Sequence, residues 1–170
     1  MTTSDGYILG TTKVVDHGPA SLRYNLVILG DGYRASEIAK YHSDVQAAID
    51  TIYATAPFNE LWCGINIYRV DVVSTDSGVD DPASCGDGST GSGSSVRTYF
   101  DATLCGDGQI RRLLTINNST ALSTANSQVP QVHMVFVVVN STLFGGAGGG
   151  VAKFTSSSGV ECALHEMGHT

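Results

Sequence analysis

The 170 residues fit one domain, and 42% hydrophobic with 15% charged residues is the balance of a chain that buries a core, which excludes a disordered segment. Nine Lys and Arg stand against sixteen Asp and Glu, a net charge of −7 with no basic cluster, so nucleic acid is disfavoured as a partner. No apolar run approaches the roughly 20 residues that a spanning helix needs, so no membrane span is expected.

Residues 1–23 read as an N-terminal extension or strand. Residues 24–29 (YNLVIL) are a short apolar β-type run that Gly30, Asp31 and Gly32 end with a turn. Ile38, Tyr41, Val45, Ala48, Ile49 and Ile52 then recur at helical spacing, and Pro57 marks the end of that helix. Ile65, Ile67, Val70 and Val72 predict a second strand within residues 64–74.

Residues 75–109, rich in Gly, Ser and Asp, predict a long surface loop. Its acidic residues, Asp76, Asp80, Asp81, Asp87, Asp101 and Asp107, raise the question of a calcium site; their spacing does not match an EF-hand, which favours solvated turn residues. The four cysteines contain no C-x-x-C pair. Cys85 and Cys105 each open a Cys-Gly-Asp-Gly turn and bracket the Ser/Gly-rich part of the loop, so a disulfide between them is expected, with Cys63–Cys162 or free buried thiols as the alternatives. A disulfide implies an oxidising compartment, hence a secreted or extracellular protein. Met1 is not followed by a charged segment and an apolar stretch, so a secretion signal is not expected within this sequence.

Short helical pieces are expected at residues 110–114 and 121–129. Residues 132–139 (VHMVFVVV) form a continuous β-branched run, the pattern of a central strand covered on both faces. The glycines of residues 144–150 (FGGAGGG) are not followed by Lys-Ser/Thr and open no helix, so a phosphate cradle is excluded. Residues 151–155 predict a short edge strand. Gly148, Gly149, Gly150, Val151 and Ala152 are the expected substrate-binding positions, where the glycines let the backbone pass close to an extended polypeptide substrate added along the edge.

Ser158 and Glu161 make an S-x-x-E capping box that starts a helix at about Gly159, with Val160, Ala163, Leu164 and Met167 as its apolar face. On that helix lies H-E-x-x-H, His165 to His169. Residues four apart share one helical face, so both imidazoles can aim at a single Zn2+ ion, while Glu166 is placed to act as general base on a water held by it. The alternative is two structural or surface histidines on an ordinary amphipathic helix, and the capped helical context favours the metal site over it. A catalytic zinc normally takes three protein ligands. The third is expected beyond Thr170, because His133 sits in the apolar strand as a satisfied histidine and His17 and His42 lack metal-like spacing. On this reading the isolated chain is a truncated catalytic domain, inactive or weakly active.

In order, the elements give an α/β chain. Residues 24–170 form the zincin-like N-terminal part of a single catalytic domain, a mixed twisted sheet with an antiparallel edge strand over the H-E-x-x-H helix.

Residues 25–33 (NLVILGDGY), Pro57-Phe58, residues 66–70, Ser77-Gly78, Asn140 with the following FGG-x-GG run, and residues 165–170 (HEMGHT) together resemble the M64 peptidases, the IgA peptidase M64 group. The resemblance covers most of the chain from Tyr24 onward. It implies a zincin-like zinc peptidase with His165 and His169 as ligands and Glu166 as base. The leading expectation is therefore a zinc endopeptidase. A non-catalytic peptide-binding module on the same fold and a metal-dependent amidase are the alternatives, and an intact Glu166 between two intact histidines favours an enzyme.

Overall fold

The computed structural model describes residues 5–157, 160, 161, 164 and 165. Six strands and two helices follow one another as β1 (Gly6–Val15), β2 (Tyr24–Asp31), α1 (Ile38–Ala54), β3 (Ile65–Ser74), α2 (Asn118–Gln128), β4 (Met134–Val139), β5 (Gly146–Ala147) and β6 (Ala152–Thr155). The strands form one mixed α/β sheet in the order β1-β3-β2-β4-β6-β5. Its centre, β3-β2-β4-β6, is parallel, and β1 and β5 run antiparallel along the two margins.

The centre is parallel because crossovers cover both faces, and the strand composition follows from that burial. On β2, Leu26 and Ile28 point into one core with Tyr41, Val45, Ile49 and Ile52 of α1, whereas Val27 and Leu29 point into a second core with Phe100, Leu104, Leu114 and Ala121. Every residue of β4 is buried in the same two-sided way. This is why residues 24–29 and 132–139 read as unbroken apolar runs. Tyr41 fastens α1 to the sheet, donating its hydroxyl to the carbonyls of Ile28 at 2.9 Å and Val70 at 3.1 Å.

Of the two readings of the N-terminal stretch, the strand is the one found: it contributes β1, paired with β3 from Gly6 to Val15. Two other expectations change. Residues 110–114 are not helical: Leu113 forms a bridge to Gly146 and its carbonyl accepts the N–H of Gly106, so contacts with distant backbone override a weak local preference. The helix that follows begins where Asn117 caps it through the N–H of Thr120. Finally, residues 152–155 do not form the margin. Strand β6 lies between β4 and β5, and the margin is the two-residue β5.

The long loop is held by the Cys85–Cys105 disulfide, with Cα atoms 6.1 Å apart. Its carboxylates act as turn staples: Asp107 accepts the N–H groups of Gln109 and Ile110, Asp80 that of Val96, and Asp81 that of Ser92 together with an ion pair to Arg111. The backbone N–H of Arg111 and the side chain and N–H of Ser89 hold the Asp87 carboxyl down at about 2.

Candidate active site

Of the motif residues quoted from the sequence, Asp31, Gly32, Tyr33, Ser77, Gly78 and Asn140 meet beyond the carboxyl ends of β2 and β4. Asp31 is fully buried; one carboxylate oxygen accepts the N–H of Phe100 at 2.9 Å and the Ser74 hydroxyl at 3.2 Å, the other accepts the Thr98 hydroxyl at 2.8 Å and the N–H of Ala102 at 3.1 Å. Burial pushes its carboxyl above the ordinary range, against the downward pull of those hydrogen bonds. Gly32 adopts φ +72°, and a Cβ there would meet the Gly78 carbonyl oxygen at 2.0 Å, so only glycine lets the two backbones approach. Asn140 donates to the Gly32 carbonyl at 3.0 Å and to Ser77 at 3.2 Å, and the Tyr33 hydroxyl donates to Asp44 at 2.7 Å. These residues form a hydrogen-bonded structural junction.

Beyond β6 the chain enters a helical turn, marked by the Leu164 N–H donating to the Val160 carbonyl at 2.9 Å. Val160 and Leu164 dock on the α1 side of the core. Glu161 and His165, also four apart, are exposed and line a cleft of about 620 Å³. It is also lined by Thr51 of α1 and, after that helix ends, by Thr55, Ala56, Pro57 and Phe58, where the Ala56-Pro57 peptide is cis. The Pro57-Phe58 pair singled out in the sequence thus lines the same cleft as His165, whereas Thr51 and Thr55 carried no signal beyond helical spacing.

Glu166 and His169 lie outside the described residues. Among the described residues no three His, Cys, Asp or Glu side chains gather as a metal-binding set. His133 is engaged elsewhere: its Nδ1 accepts the Asn25 N–H at 3.1 Å and its ring stacks on Tyr24.

The five expected substrate-binding residues divide. Gly149 and Gly150 are exposed and Gly148 is half-buried, but Val151 and Ala152 are closed off inside the sheet. Lys153 straps the turn by donating to the carbonyls of Gly148 at 2.8 Å and Val151 at 3.2 Å. Peptide addition directly to β6 is blocked by β5, and the outer side of β5 is itself engaged, since Gly146 donates to the Arg112 carbonyl at 3.0 Å and accepts from the Leu114 N–H. Sequence reasoning missed that the backbone of residues 112–114 covers the outer side of β5.

A mixed α/β sheet bearing a histidine-lined cleft beside a helical turn defines the class of this protein. The family profile of IgA Peptidase M64 matches residues 12–170, and the chain belongs to that peptidase family. No curated protein matches it in sequence. Among the described residues no helix is long and apolar enough to cross a membrane.

Proposed function

We propose that this chain acts as a zinc-dependent endopeptidase in which His165 and His169 hold the metal and Glu166 is the general base. The observation that carries the reading is the family match running through residue 170, so that it includes the whole H-E-x-x-H string. The Leu164 N–H to Val160 carbonyl bond, a helical i to i−4 pattern just before the motif, supports it, because spacing of four places two imidazoles together only on a helix. His165 fits a ligand's role: an exposed imidazole on a docked helical turn, facing a cleft.

A bound zinc ion supplies Lewis acidity to the scissile carbonyl and makes water at the site more acidic. Glu166 takes the proton from the attacking water and returns it to the leaving amine. Val160 and Leu164 pack on the core and so anchor His165, the residue after Leu164. The Cys85–Cys105 disulfide supports secretion into an oxidising compartment.

The test is proteolysis of a peptide library by metal-free full-length protein before and after zinc is restored, with products identified by mass spectrometry. Cleavage of internal peptide bonds that returns with zinc is expected. Zinc-independent cleavage, or peptide binding without cleavage at saturating zinc, refutes the assignment.

A further inference from the structure

A second cleft, of about 340 Å³, lies on the other side of Glu161 from the His165 cleft, against the margin of the sheet. Gly145 and Gly146 form its floor, Ile110, Arg112 and Phe144 its walls, and Glu161 closes one end. Ile110 is 45% exposed and Phe144 64%, a large share of apolar surface left to water in one place.

The charge in this cleft is unusual for the molecule. All nine Lys and Arg side chains lie among the described residues, and eight are hydrogen-bonded: Lys13, Lys40, Arg34, Arg69, Arg97 and Arg111 to carboxylates, and Lys153 and Arg23 to backbone carbonyls. Among the described residues Arg112 alone has no side-chain hydrogen-bond or ion-pair partner, and no ion pair joins it to Glu161. Its backbone is nonetheless fixed, because its carbonyl accepts the Gly146 N–H at 3.0 Å. In a chain of net charge −7, an exposed guanidinium on a fixed backbone and with no ion pair is available to an incoming carboxylate.

Resting on the peptidase reading, we propose that this cleft is a substrate subsite for an acidic side chain, Asp or Glu, that neighbours a large apolar residue in the polypeptide. Arg112 pairs with the carboxylate and Ile110 and Phe144 cover the apolar neighbour. Glu161 disfavours a second acid, so an isolated acidic residue is selected over an acidic run. Peptide does not reach the cleft by adding to β6, which β4 and β5 already pair on both sides.

The test uses peptides that differ only in Glu, Gln or Lys beside a Phe. Relative kcat/KM is measured on the active protein, and relative affinity by fluorescence anisotropy on Glu166→Gln protein, which is expected to bind without cutting. The Glu peptide is expected to lead the Gln peptide by about tenfold in both readouts. Arg112→Gln brings the ratio near one, and Arg112→Glu turns the preference toward Lys. Equal use of the three peptides, or a Glu preference that survives Arg112→Glu, overturns the subsite. Cleavage without the preference leaves the peptidase reading standing; the preference in binding without any cleavage leaves the subsite and removes the peptidase reading; absence of both overturns both.

Discussion

The Asp31 carboxylate accepts the backbone N–H of Phe100 at 2.9 Å across 69 positions of the chain, and so ties the end of β2 to the loop that roofs one of the two cores. Thr98, Ala102 and Ser74 donate to the same carboxylate. Replacing Asp31 with Ala strands these buried donors, each costing about 1–3 kcal/mol when left unpaired. Asp31→Ala is expected to lose at least about 3 kcal/mol, and Asp31→Asn less, because the amide keeps one acceptor. Urea unfolding of the three proteins measures this; a wild-type midpoint in Asp31→Ala would contradict it.

Asp101, next to that junction, behaves in the opposite sense. Burial, and then the Asp31 charge, push its carboxyl up to about 6, and Oδ1 is buried with no hydrogen-bond partner. Its folded value lies above the ordinary 3.8, so the folded state holds the proton more tightly. The stability this gives is present in full below about pH 4 and is lost as pH rises through 6. Asp101→Asn removes the titration, and Asn tolerates the residue's φ of +57°. The variant should be more stable than wild type by about 1 kcal/mol at pH 7.5, the shift being discounted for partial exposure, and equal to it near pH 4. Thermal melts at the two pH values check the sign.

What was legible in the sequence was what local pattern dictates. Ile38 to Ile52 read as a helix because its buried face repeats every turn, and residues 132–139 read as a covered strand because Val135 and Val137 serve one core while Phe136 and Val138 serve the other. His165 was legible through spacing alone. Leu113 was not, because its conformation is set by Gly146, 33 positions away, and no periodicity encodes that bridge. The placing of Val151 and Ala152 inside the sheet depends on the same distant segment, which shifts the margin outward. Asp31 gave a turn signal but no hint that it would organise residues 98–102.

The Cys85–Cys105 bridge closes a separation of 20 residues and should contribute about 3 kcal/mol. Its loss has a local consequence as well, since the Cys105 N–H donates to the Arg111 carbonyl beside the sheet margin. The Cys85→Ser, Cys105→Ser protein is expected to melt several degrees lower and to exchange the amides of residues 103–115 faster than those of β2 and β4. Non-reducing peptide mapping should recover the bridged fragment from wild-type protein; free thiols at both positions would remove the basis for the prediction.

Glu166→Gln separates binding from chemistry in the active protein. The amide preserves size and polarity while losing the ability to take a proton, and the imidazoles of His165 and His169 are untouched by the change. Zinc content by atomic absorption should therefore stay near one ion per chain, while peptide turnover falls by about 10²- to 10⁴-fold, the usual cost of removing a general base. His165→Ala should behave differently, losing metal and turnover together, because one fewer imidazole lowers affinity for the ion itself. The pair of variants distinguishes the two roles: a Glu166→Gln protein that keeps its turnover would show that the proton is taken by another group, and a His165→Ala protein that keeps both its zinc and its activity would show that the metal is held elsewhere.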